Sequence, residues 1–159
     1  MAITLDDLTV NFAHLDREAL LSEWRWLIGP CKQPILLAAI GDAYVQDPDD
    51  GSVHLLDVGG GALEQIAGSV DEFRALLADR EFVTDSFVPS TIVALRNGGK
   101  TLAPGQIYSY IHPPVLGGKY STDNMEPTDV SVHFSILGQI HRQVKDLPEG
   151  TPISSIRIE

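Results

Sequence analysis

Three consecutive stretches decide the fold: Asp42-Ala-Tyr-Val-Gln46, then Asp47-Pro-Asp-Asp-Gly51, leading into Ser52-Val-His-Leu-Leu-Asp-Val58. The outer segments are apolar and extended in pattern. The segment between them has turn chemistry: proline presets φ, glycine accepts a positive φ, and aspartate side chains bond nearby backbone. A β-hairpin is therefore expected over 42–58. On its N-terminal side Ile35–Ile40 is a short apolar run that reads as another strand. On its C-terminal side Gly59-Gly-Gly61 turns the chain into a further strand over Ala62–Ala67.

Helical signals surround this β section. Asp6 to Ala13 suggests a short helix. Asp16 is placed to cap a longer one over Arg17–Ile28, with Leu20, Leu21, Trp24, Leu27 and Ile28 on one face and Gly29-Pro30 as the stop. Ser69 and Glu72 have capping-box spacing ahead of Val70, Phe73, Leu76 and Leu77. Helix is expected again from about Arg80 to Leu95, divided or restarted at Pro89, with Asn97-Gly-Gly99 as its end. Gln106–Ile111 alternates like a strand and runs into His112-Pro-Pro114, and the next dozen residues, including Gly117-Gly118, read as loop. Val130, Phe134, Leu137, Ile140 and Val144 then mark the clearest helix, over about 130–145. Ile153–Ile158 has the pattern of a terminal strand. The expected fold is α+β, a small and mostly antiparallel sheet packed against several helices. At 159 residues with no linker-like stretch, 1–159 is expected to be one domain.

Charge is the unusual bulk property. Twenty-two Asp plus Glu against 11 Lys plus Arg give a net charge of −11. Such a field disfavours nucleic acid and anionic membrane and speeds association with a basic partner. The single cysteine, Cys31, fits a reducing compartment, and the acidic N-terminus lacks the pattern of a signal peptide, so a cytoplasmic location is expected.

The catalytic motifs that the chain brushes against fail on spacing. Asp47, Asp49, Asp50 and Gly51 start like a calcium loop, but Val58 occupies the twelfth position where a bidentate glutamate belongs. Gly98-Gly-Lys-Thr101 lacks the first glycine of a phosphate loop and follows a helix. His112, His133 and His141 are the set that folding would have to gather into a metal or small-molecule site, which keeps an enzyme as the alternative function. No cofactor and no metal are expected. What stands out is Tyr108-Ser-Tyr-Ile-His-Pro-Pro-Val-Leu-Gly-Gly-Lys-Tyr120, where stiff amphipathic side chains are concentrated as on binding surfaces.

Three sets of residues carry a family resemblance: Gly41–Val45 with Gly51–Asp57 and Ile66–Ser69; Tyr108-Ser-Tyr with Pro113-Pro-Val-Leu-Gly-Gly118; and Val132–His141 with Leu147-Pro-Glu-Gly150. Together they resemble a bacterial family with a GAD-like N-terminal region, which includes immunity proteins that neutralise DNase effectors of type VI secretion systems. The pattern is also similar to the SUKH immunity superfamily. The resemblance implies a GAD-like portion over 1–80 and an immunity-family portion over 81–159, not folding independently. It implies a non-catalytic protein that binds a cognate toxin, a basic nuclease, as a monomer or weak homodimer. A general protein-interaction adaptor is the remaining alternative. The partner-binding residues expected are Tyr108, Tyr110, His112 and Tyr120 in the tyrosine-rich loop, with Asp47, Asp49 and Asp50 in the acidic turn.

Overall fold

The computed structural model describes residues 3–159. The expected α+β class is borne out: a five-stranded antiparallel sheet, a two-stranded ribbon, and helices on both faces of the larger sheet. That sheet has the sequential order β1 (Thr9–Val10), β2 (Gln33–Ala38), β3 (Ala43–Gln46), β4 (Val53–Asp57) and β5 (Ala62–Ala67). The 47–51 corner is built as its composition demands. Gly51 takes φ 76°, and the Asp47 carboxylate accepts the Asp49 amide at 2.9 Å.

The segment read as a helix over Asp6–Ala13 is instead a 3-10 turn, Leu5–Leu8, that runs into β1. β1 pairs with β2, which gives the Thr9 and Val10 backbone a ladder that a short isolated helix would not provide. The Arg17–Ile28 helix is also interrupted. It forms α1 (Arg17–Leu20), a 3-10 turn (Ser22–Trp24) and α2 (Arg25–Ile28). Asp16 caps it as expected, accepting from the Glu18 and Ala19 amides. Interrupting the helix lets Leu20, Leu21, Trp24 and Ile28 all reach one core.

α3 (Val70–Leu77) starts at the Ser69 cap, whose side chain accepts the Glu72 amide at 3.1 Å. α4 (Arg80–Phe87) and α5 (Pro89–Asn97) are divided at Val88, which adopts φ 44°, ψ 62°. Proline at 89 disfavours a helical residue before it, and the chain leaves the helix through a left-handed conformation that a β-branched residue rarely takes.

The second sheet pairs β6 (Gln106–Tyr110) with β7 (Met125–Asp129), and β7 leads directly into α6 (Val130–Val144). The stretch read as loop after Pro114 therefore ends in an unexpected strand, which starts at Met125. Met125-Glu-Pro-Thr-Asp129 hides it, because proline and acids are depleted in strands and Pro127 donates nothing to a ladder. The terminal strand expected over Ile153–Ile158 does not form. The backbone of Arg157 and Glu159 instead pairs reciprocally with the side-chain amides of Gln143 and Gln139 on α6.

Alternation along the strands divides the interior into two layers. Leu37, Ala43, Val45 and Leu56 face α1, α2 and α6, packing with Trp24, Phe134, Leu137 and Ile140. Ala38, Tyr44 and Val53 face the other way, onto Phe73 of α3, Phe87 of α4, and Ile92 and Leu95 of α5. Two close contacts hold the first layer. The Trp24 indole donates to the Phe134 carbonyl at 2.9 Å, and Gly138 lies so near the preceding turn that a Cβ there would stand 2.7 Å from the Glu23 carbonyl oxygen.

His133 ties the elements together. Its Nε2 lies 2.8 Å from the Gly41 carbonyl and its Nδ1 lies 2.7 Å from the Ser109 hydroxyl. A carbonyl only accepts, so the proton is on Nε2 and Nδ1 accepts from Ser109. Burial disfavours the charged ring and pushes its pKa down to about 4.

Gly138→Val should lower unfolding free energy by about 2 kcal/mol or more, the upper part of the overpacking range, in chemical denaturation. The obstacle at that site is backbone, which cannot swing aside. For His133 the folded pKa is depressed, so its contribution is complete above pH 6.5 and is lost as pH falls towards 4. An NMR titration should find its imidazole still neutral at pH 5. His133→Gln should flatten the fall in stability across pH 6.5 to 4.

Candidate partner-binding site

The tyrosine-rich loop is braced by internal hydrogen bonds. Asn124 clamps it: its side-chain oxygen accepts the His112 amide at 2.9 Å, and its Nδ2 donates to the His112 and Lys119 carbonyls at 2.7 and 2.8 Å. His112 is exposed, and its Nε2 lies 2.9 Å from the Leu116 carbonyl within the same loop. Gly118 lies hard against the His112 carbonyl, where no side chain would fit.

The loop's tyrosines divide into different environments. Tyr108 is fully buried and its hydroxyl donates to the Lys100 carbonyl, so it belongs to the core and offers no surface to a partner. Tyr110 is half-buried, and Tyr120 is 74% exposed. Their rings meet edge to face at 5.6 Å.

In the acidic turn, Asp47 is half-buried and lies 3.7 Å from the Lys32 ammonium. Asp50 accepts the Ser52 amide at 2.9 Å and the Ser52 hydroxyl at 2.6 Å. Hydrogen bonding to its charged form, by the Ser52 hydroxyl first, holds its carboxyl below the usual range. Asp49 is exposed. Asp47 and Asp50 thus build the turn, while Asp49 and Asp50 are both exposed and Asp49 is the one whose carboxylate has no bond within the turn.

The Ser52 hydroxyl also lies 2.9 Å from His54 Nε2, which sets an acid, a hydroxyl and an imidazole in a row. The order is wrong for nucleophile activation. The single hydroxyl proton is committed to Asp50, so the imidazole donates to the oxygen instead of taking its proton.

His112, His133 and His141 do not meet. His112 is bound within its loop, and His133 is pinned to Gly41 and Ser109. His141 is buried beside Trp24, ring centres 5.5 Å apart, and against Gly61. Among the described residues no three His, Cys, Asp or Glu side chains are grouped to hold a metal ion. No helix there is long and apolar enough to cross a membrane.

A cleft of about 310 Å3 opens between the 40–42 corner, the α4–α5 junction and the Tyr110–Tyr120 pair. Asp42, Asp85, Ser86 and Val88 contribute to its walls. Asp42 Oδ1 accepts the Val58 amide at 3.1 Å. Burial, reinforced by the neighbouring Asp57 charge, pushes its pKa up to about 7. The expected partner-binding residues included neither Asp42 nor Asp85. Their signals are faint: Asp42 is a lone acid between apolar runs, and Asp85 is one acid among several on a helix.

The helical pair α3–α4 beside this region exposes Asp71, Glu72, Glu81 and Asp85. No curated protein matches the chain. Residues 67–141 match the family model described as "T6SS immunity protein Tdi1, C-terminal". The matched segment begins at the last residue of β5 and ends within α6, so it includes Tyr110, His112, Tyr120 and Asp85 but not Asp42 or the 47–50 turn. Over residues 67–141, a little under half of its length, the chain is similar to the C-terminal region of a type VI secretion immunity protein family.

Proposed function

We propose that this chain protects its cell by binding a co-encoded effector toxin, a basic nuclease, and that it does so without catalysis. The observation that carries the proposal is the immunity-family segment over 67–141. The net charge of −11 supports the choice of a nuclease. A nuclease needs a cationic surface to hold phosphates, and an acidic inhibitor is steered to that surface and competes for it.

In this proposal the contact face includes the Tyr110, His112 and Tyr120 loop, with Asp49 of the acidic turn as a peripheral charge. Asp47 and Asp50 act through the shape of that turn. The chain works in the cytoplasm, as a monomer or weak homodimer, and takes no nucleic acid as ligand. A braced loop suits such an inhibitor, since little conformational freedom is lost on docking.

Co-expression with the secreted effector encoded beside this gene should restore growth, and the two purified proteins should form a complex. Raising salt from 50 to 500 mM should slow association by tenfold or more while changing dissociation much less. Growth that stays arrested, with no complex formed, would rule the proposal out.

A further inference from the structure

We infer that the cleft at the α4–α5 junction is the receptor for an arginine side chain of a basic protein partner, its guanidinium held among Asp42, Asp85 and the Tyr110–Tyr120 ring pair. This deepens the binding proposal above and rests on it for the source of the arginine.

Charge is the first support. Asp42 and Asp85 both line the cleft, and among the described residues neither is ion-paired with a lysine, arginine or histidine. Asp42 is an uncompensated acid in a confined site, a costly arrangement that an incoming cation relieves. Anionic ligands are disfavoured by the same groups.

A buried hydroxyl is the second support. Tyr44 is fully buried, its ring packed against Phe73 and Phe87 at 5.0 and 5.4 Å. Its hydroxyl lies behind the cleft wall, near Asp42 and within reach of the Ser86 side chain, and makes no hydrogen bond of good geometry. Buried polar groups are nearly always satisfied, so a poorly bonded hydroxyl directly behind two cleft residues leaves polar capacity at the floor of the site that a cation drawing on Asp42 and Ser86 would engage.

Shape is the third. About 310 Å3 is the lower end of small-ligand sites, suited to one long side chain. Ile40, Val88 and Met125 offer apolar wall to a methylene stem, while Tyr110 and Tyr120 offer ring surface to a planar cation. Arginine fits this set better than lysine, because its fork of donors can reach carboxylates and hydroxyls together and its plane stacks on rings.

The titratable groups around Asp42 are Asp57, Tyr44 and Tyr110, with His133 bonded to the preceding Gly41 carbonyl and Asp85 and Tyr120 lining the same cleft. Near neutral pH the Asp42 carboxyl is partly protonated, and a bound guanidinium favours its charged form. Affinity therefore rises as pH increases from 6 to 8.

The test is an NMR titration of the full chain with N-acetyl-arginine amide, using the neutral isostere N-acetyl-citrulline amide as control. The expected result is saturable shifts confined to Asp42, Ser86, Tyr110 and Tyr120, absent with citrulline. Asp42→Asn keeps the acceptor for the Val58 amide and should weaken arginine binding at least fivefold and abolish its rise with pH. Asp85→Asn, at an exposed helical position, provides a second variant that leaves the fold intact. Shifts scattered over surface acids, or equal shifts with citrulline, would overturn the inference. In the complex with the neighbouring effector, Asp42→Asn and Tyr120→Ala should each bind at least tenfold more weakly than wild type. If wild type binds the effector and both variants bind as tightly, the cleft inference fails while the immunity proposal stands. If wild type does not bind the effector, the immunity proposal fails, and the arginine titration alone decides whether the cleft is a guanidinium receptor.

Discussion

One buried imidazole fixes the relation between the parts of this molecule. His133 projects from α6, donates to the Gly41 carbonyl at the β2–β3 corner, and accepts from Ser109 on β6. Helix, larger sheet and two-stranded ribbon are thereby set against one another by two short bonds in a dry interior. Gly41 is crowded as a consequence: a Cβ there would lie 3.0 Å from the imidazole and from the Tyr108 carbonyl. The residue after Gly41 is Asp42 and the residue after Ser109 is Tyr110, so the same pin places an acid and an aromatic ring on the walls of one cleft. Packing and candidate function are coupled through adjacent residues, not through the imidazole's own chemistry.

The electrostatics have a local structure that net charge conceals. Many of the acids perform construction: Asp16 and Asp79 cap helices, while Asp47 and Asp50 shape the hairpin corner. Asp7 pairs with Arg96 at 3.1 Å across the fold. The acids left over are more informative. Asp85 is exposed on α4, and Asp42 sits in a confined site with only one backbone donor. A surface that is merely soluble has no reason to place a carboxylate where burial resists its charge, whereas a surface that receives a cation has one.

Much of the fold was legible from local signals. The Asp47–Gly51 corner, the Ser69 cap and the stripe along α6 each follow from side-chain chemistry acting within a few residues, and each appears where expected. What escaped depends on distant partners. β1 exists because β2 lies beside it, and β7 is held by β6 despite an unfavourable composition. The Arg17–Ile28 segment breaks because its apolar side chains must fit one particular core. The candidate site divides the same way. A concentration of tyrosines pointed to the right loop, yet Tyr108 and Tyr110, two apart on β6, share one face of the strand, and only tertiary packing buries the first completely while leaving the second half-buried. Asp42 gave almost no signal, because its importance comes from Asp57, Tyr44 and Tyr110, brought together only by folding.

The segment that ends at Glu159 shows how a helix can stand in for a strand. Gln139 and Gln143 are one turn apart on α6, about 6 Å along its axis, and the alternate residues of an extended chain repeat at about 6.6 Å. The two spacings are commensurate, so two carboxamides can present a donor and an acceptor each to Arg157 and Glu159 as a neighbouring backbone would. A true strand partner would tolerate almost any side chain, since its ladder is made of main chain. Here the alignment is written in two side-chain identities. Sequence drift at 139 or 143 would therefore release the segment from its track, whereas drift in the side chains of 157 and 159 would leave those backbone bonds in place.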